Sequence, residues 1–126
     1  MTTANYPEKH QLIEAIRQAD GLGHKVAIVL PRNDGQVRRF MDKLVTLSNP
    51  LRVKLIRRVN GLEGITFHNG GEIRFFAPAR TIRGYSCDVL IASSQFSEEQ
   101  MKEIVPANFT RKNPMLIRLG DFSAQP

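Results

Sequence analysis

The chain has 126 residues, 41% hydrophobic and 24% charged, with nine Gly and seven Pro. This balance fits one globular domain with one core and argues against a wholly disordered chain, a collagen-like repeat or a membrane protein. Eighteen Lys and Arg against twelve Asp and Glu leave a net charge of +6 and a pI near 10, which points to a polyanion partner, nucleic acid ahead of a membrane surface.

The polar stretch Met1–Pro7 has no signal-peptide core and reads, with residues 122–126, as a flexible tail. From Glu8 to Ala19, Leu12, Ile13, Ile16 and Ala19 recur at helical spacing, and Asp20-Gly21-Leu22-Gly23 ends the helix. Val26 to Leu30 is a continuous apolar run closed by Pro31, the pattern of a strand covered on both faces in a partly parallel sheet. Asn33 or Asp34 then caps a second helix running to about Leu47, with Val37, Phe40, Met41, Leu44 and Val45 inward. Ser48-Asn49-Pro50 stops it.

Three short strands follow over Val53–Val59, Gly64–His68 and Glu72–Phe76, joined by turns at Asn60-Gly61 and Asn69-Gly70-Gly71, where Asn and Gly tolerate positive φ. Ala77 to Cys87 reads as a loop, and Asp88 to Ala92 as a second buried strand. Ser97 caps a helix to about Val105, which Pro106 ends, and Pro114 to Leu119 is the last strand. The order predicts a single layered α/β domain over 1–126, with a partly parallel central sheet and a small antiparallel hairpin insertion.

No catalytic constellation stands out. Cys87 and His10, His24 and His68 lie in separate segments without nucleophile–base or metal-ligand spacing, so core and surface roles are expected for them, with no cofactor and no metal. Gly21-Leu22-Gly23-His24-Lys25 has the composition of a phosphate loop, but it ends a helix and precedes a strand, the reverse of what a P-loop needs. One cysteine can form no intrachain disulfide and no cysteine zinc site, and a reducing cytoplasmic setting is expected.

Asn69-Gly70-Gly71-Glu72-Ile73-Arg74-Phe75-Phe76-Ala77, then Arg83-Gly84-Tyr85-Ser86, then Asp88 to Ile91, resemble the ATPase domain of phage large terminases. In that family a similar hairpin leads through an arginine-glycine-aromatic turn into the Walker B strand. Phe96 to Met101 with Ile104-Val105-Pro106 resemble the helix after that strand, Asn113 to Leu119 the next strand, and Val26 to Arg32 with the helix through Phe40 the segment after the P-loop helix. The likeness spans Leu12 to Asp121 and implies a truncated RecA-like, P-loop motor fold of phage or prophage origin.

The departures from that family bear on chemistry. The chain begins too late to hold the family's Walker A loop, and the Walker B acids fall on Ser93 and Ser94, whose hydroxyls supply neither charge for magnesium nor a base. The coupling motif reads Gly120-Asp121-Phe122, and no nuclease domain follows. The resemblance therefore implies a domain without ATPase or nuclease activity.

What such a domain would retain is a nucleic-acid face. From Arg32 to Arg83 there are eleven basic and four acidic residues. Arg32, Arg38, Arg39, Arg57, Arg58, Arg74, Arg80 and Arg83 are the candidate DNA contacts, because guanidinium groups grip phosphates bidentately and without sequence preference. Phe75, Phe76 and Tyr85 are candidate stacking residues, with core packing as the competing role for the phenylalanines. In the terminase family the Arg83-Gly84-Tyr85 neighbourhood lies near the nucleotide, so Arg83 reads as a relic. The alternative function is docking on a protein, either a motor subunit or a host or defence factor, without DNA binding. Arginines gathered on one face favour DNA; scattered arginines with an exposed apolar patch favour docking.

Overall fold

The computed structural model describes residues 8–32, 35–59, 61–77, 82, 84–104 and 115–119. In chain order they form α1 (Glu8–Ile16), a π-helical turn (Arg17–Gly21), β1 (Lys25–Val29) and α2 (Gly35–Leu47). A 3-10 turn (Pro50–Arg52), β2 (Val53–Arg57), β3 (Gly64–Phe67), β4 (Glu72–Phe76), β5 (Val89–Ser93), α3 (Glu98–Ile104) and β6 (Met115–Leu119) complete them. The expected tails, the cap at Asn33 or Asp34 and Asn60 lie outside the described residues.

All six strands join one sheet in the order β2-β3-β4-β1-β5-β6. β4, β1, β5 and β6 run parallel, whereas β2-β3-β4 is antiparallel. The two apolar runs read as buried strands are adjacent parallel partners at the centre, with Val26 opposite Val89 and Ile28 opposite Ile91. The hairpin segment is more than an insertion: β4 pairs on its other side with β1, Lys25 to Val29 opposite Glu72 to Phe76, so the antiparallel strands extend the main sheet. Alternation made β4 fit for both tasks, since Ile73 and Phe75 face one side of the sheet and Phe76 the other.

The two faces of the sheet are covered unequally. On the first, Leu12, Ala15 and Ala19 from the α1 end and Val37, Phe40, Met41 and Leu44 from α2 pack on Val26, Ile28, Ile65, Phe67, Ile73, Phe75, Val89 and Ile91. On the second, Met101 and Ile104 of α3 join Phe96, Ile82 and Cys87 over Ala27, Val29, Phe76, Leu90 and Ala92. This second cluster takes nothing from β2 or β3. Ser97 and Gln100 start α3 with a reciprocal capping box: the Ser97 Oγ accepts from the Gln100 N–H at 3.2 Å, and the Gln100 Oε1 from the Ser97 N–H at 2.8 Å.

The first helix ends differently from expectation. Regular α-helix stops at Ile16 and widens into the π turn, which buries Gln18 and Ala19. The last carbonyls of a helix need partners, and here the hairpin loop supplies them. Asn69 Nδ2 donates to the carbonyls of Ala19, at 3.2 Å, and Asp20, at 2.5 Å, while Asn69 Oδ1 accepts from the Gly71 N–H at 2.9 Å. Arg52 Nε donates to Asp20 Oδ1 at 2.7 Å.

Gly71 sits so close to this turn that a Cβ on it would lie 1.9 Å from the Ala19 carbonyl oxygen, with backbone on both sides. Gly70, at φ +93°, has open space around it. Gly71→Ala is therefore expected to destabilise the fold by about 3 kcal/mol through overpacking. Gly70→Ala, which meets only the backbone penalty of left-handed φ, should cost about 1 kcal/mol. Urea unfolding midpoints of the two variants measure the difference.

Candidate nucleic-acid interface

Strand direction decides where the candidate arginines go. Because β3 reverses against β4 and β2 reverses again, β2 runs in the same sense as β1, β4 and β5. The end of β2 with Arg57 and Arg58, the exit of β1 at Arg32 and the first turns of α2 with Arg38 and Arg39 therefore all lie toward the carboxyl ends of the parallel strands. In open α/β sheets that is the edge at which ligands bind.

Alternation then divides the group. Ile56 is opposite Ile65 on the α2 side, and Arg57 is opposite Gly64 on the other. Arg58, one residue on, reaches α2: its Nη1 donates to Asp42 Oδ1 at 2.8 Å, both side chains largely exposed. Arg38 is exposed one helical turn from Asp42, and the exposed Arg39 lays its guanidinium over the Phe40 ring at 4.7 Å. Arg32, Arg38, Arg39 and Arg58 thus form a basic rim around the start of α2.

Arg74 stands apart from that rim. In register it is opposite Gly64, which is opposite Arg57, so Arg57, Gly64 and Arg74 form one row across β2, β3 and β4 on the face away from α2. Its guanidinium lies 5.2 Å from the centre of the Tyr85 ring and 5.5 Å from that of Phe76. Tyr85 Oη donates to Glu72 Oε2 at 2.6 Å, and burial together with that carboxylate pushes the phenol's pKa upward. Of the stacking candidates, Phe75 is in the core against Phe40 and Phe76 is buried beside Tyr85, which leaves Tyr85 half-exposed. Arg80 and Arg83 lie outside the described residues.

The positions aligned with Walker B acids serve the chain itself. Ser93 is buried at the end of β5, where its Oγ accepts from the Gln95 N–H at 3.1 Å; Ser94 is exposed in the same turn. Arg118 closes this turn by donating to the carbonyls of Ser93, at 3.0 Å, and Phe96, at 2.8 Å. Asp88 ties β5 to β1, its Oδ2 accepting from the Lys25 N–H at 2.9 Å. His24 Nδ1 is hydrogen-bonded to Gln18 Oε1 at 2.8 Å, far in sequence from His10 and His68. Among the described residues no three His, Cys, Asp or Glu side chains come together as a metal site, and no helix is long and apolar enough to cross a membrane. A groove of about 350 Å³ between α1 and α2 is lined by Lys9, Leu12, Asp42, Lys43, Thr46 and Leu47, with no nucleophile beside a base.

Sequence reasoning did not single out one surface feature. Leu51, Leu55, Ile56, Val59 and Leu62, all around β2, are exposed, Leu51 by 86% and Val59 by 62%. A strand with two apolar residues in succession places one on each face, and β2 is an edge strand with no helix to cover both.

Cys87 is fully buried, and burial foremost, with Asp88 adding to it, pushes its thiol up to about 12. A thiol with a raised native pKa stays neutral in the fold while the unfolded chain ionises, so its contribution to stability is present below about pH 9 and is lost as pH rises toward 12. Two results are expected: disulfide reagents label Cys87 at neutral pH only as fast as the protein opens, and the urea midpoint falls above about pH 9, less so in Cys87→Ala. Comparison with protein-family models, with curated proteins and with solved structures finds no match to this chain.

Proposed function

We propose that this chain is a non-catalytic, terminase-like domain of phage or prophage origin that holds DNA, alone or within a DNA-processing machine, through the basic rim at the carboxyl edge of its sheet. The observation that carries this reading is the convergence of Arg32, Arg38, Arg39 and Arg58 around the start of α2 from three separate segments. Exposed guanidinium groups in such a cluster neutralise backbone phosphates, and the counterions they release drive binding without reading sequence. The central pairing of β1 with β5 agrees with the motor-fold resemblance. The use of the Ser93 hydroxyl in its own turn agrees with loss of the hydrolytic site.

The docking alternative is favoured by a different observation, the exposed apolar side chains Leu51, Leu55, Ile56, Val59 and Leu62 around the edge strand. Fluorescence anisotropy with labelled DNA, across about 50 to 200 mM salt, separates the two. DNA binding predicts affinity that falls steeply with salt. In the double variant Arg38→Ala, Arg39→Ala it predicts a drop of about ten-fold or more, with the salt slope shallower by about two. Absence of binding at the lowest salt overturns the DNA reading in favour of docking.

A further inference from the structure

We infer that the open face of β2-β3-β4, bearing Arg57, Arg74 and Tyr85, is a platform for single-stranded nucleic acid, distinct from the rim around α2. This rests on the nucleic-acid reading above and adds the form of the ligand. Three observations carry it.

The first is the row itself. Arg57 and Arg74 stand in register on either side of Gly64, about 10 Å apart at two strand spacings. Gly64 cannot carry a side chain: a Cβ there would lie 2.5 Å from the Ile73 carbonyl oxygen and 3.3 Å from Arg74 Cγ. The middle of the row is therefore flat, with a cation at each end. Among the described residues no helix packs on this part of the face, since Met101 and Ile104 of α3 reach only as far as Phe76 of β4.

The second is the state of Arg74. Its guanidinium is half-buried against Tyr85 and Phe76 and makes no ion pair with any described residue. A planar cation seated against aromatic rings offers its other face for stacking, and bases stack on such guanidinium planes and on tyrosine. The platform is held in place: Tyr85 packs on Phe76 at 4.8 Å between ring centres and is anchored through its hydroxyl to Glu72.

The third is the direction of charge along the face. Glu72 stands beside Tyr85, and Arg57 is exposed at the far end with no acid in its row. Phosphate is repelled from the Tyr85 end and attracted to Arg57, so a base stacks at Arg74 and Tyr85 while its phosphate lies toward β2. A duplex keeps its bases stacked inside and can use only the phosphate half of this arrangement. A single strand uses both halves.

The test compares a labelled oligothymidylate of about 15 nucleotides with a duplex of about 15 base pairs. Arg74→Ala is expected to weaken the single strand by about ten-fold and the duplex by less than about two-fold. Arg38→Ala with Arg39→Ala should weaken both. Arg74→Lys, which keeps the charge without the plane, should lose most of the single-strand preference; circular dichroism checks that both Arg74 variants fold.

A second readout does not depend on those variants. The chain has two tyrosines and no tryptophan, so Tyr6→Phe leaves Tyr85 as its one emitter, and its fluorescence should be quenched by saturating oligothymidylate. Unchanged Tyr85 emission, or Arg74 variants that bind the single strand as the parent does, overturns the platform and leaves the rim intact if duplex binding persists. Failure of both nucleic acids to bind overturns both readings.

Discussion

One close contact sets the frame of this fold, the approach of Gly71 to the carbonyl of Ala19. The widened end of α1 leaves carbonyls pointing at solvent, and the β3-β4 turn satisfies them through Asn69. Only a residue without a side chain fits at position 71. The contact joins the first helix to the hairpin at the end where β1 begins, next to the hydrogen bond from the Glu72 N–H to the His24 carbonyl. With that bond made, β4 is held in register with β1. A slip of one residue would turn Ile73 and Phe75 out of the core and bring Arg74 in.

That register has a second consequence, the unequal cover of the sheet. α1 and α2 both lie on the face of Ile28 and Phe75, and the shorter α3 covers the other face only from β4 outward to β5. The edge strands β2 and β3 are thus supported from one side. Their open side carries Thr66 and Arg57, with Leu55 also exposed, a half-polar surface typical of antiparallel strands with one face in water. The parallel half of the sheet is closed and apolar, and the antiparallel half is where charged and aromatic side chains reach the surface from strands.

Much of the fold was legible because the signals were strong ones. The uninterrupted run Val26–Leu30 could only be a strand buried on both faces, and Val37, Phe40, Met41 and Leu44 fall on one stripe of α2 as their spacing requires. The π turn was not legible, because Arg17 to Gly21 continues the helical pattern and its widening answers to Asn69, some fifty residues away. The candidate site was legible only as a list of arginines. Their grouping depends on pairing register, and nothing local in Arg57-Arg58 says that one joins Arg74 across a glycine while the other turns to Asp42. Nor does local sequence mark Arg118 as the residue that closes the Ser93 turn.

The arginines also differ in how firmly the fold holds them. Arg52 is bound to Asp20 at 2.7 Å beside a carboxylate that is only 14% exposed, and it completes the end of the first helix, so its charge is spent on structure. Arg58 pairs with Asp42 at a similar distance, but both side chains stand in water, where such a pair contributes about 0 to 1 kcal/mol and is screened by salt. A phosphate can displace Asp42 at little cost, and Arg58 then adds to Arg38 and Arg39 as a third cation on the rim. Arg74 is the reverse case: packing on Tyr85 and Phe76 fixes its plane and leaves its charge without a carboxylate among the described residues. The rim is therefore mobile charge suited to a backbone of any sequence, and the sheet face is preorganised geometry suited to a base. The two surfaces meet at β2, where Arg57 and Arg58 are consecutive residues pointing to opposite faces. A strand leaving a duplex held at the rim would pass over that edge onto the platform without losing contact with guanidinium groups.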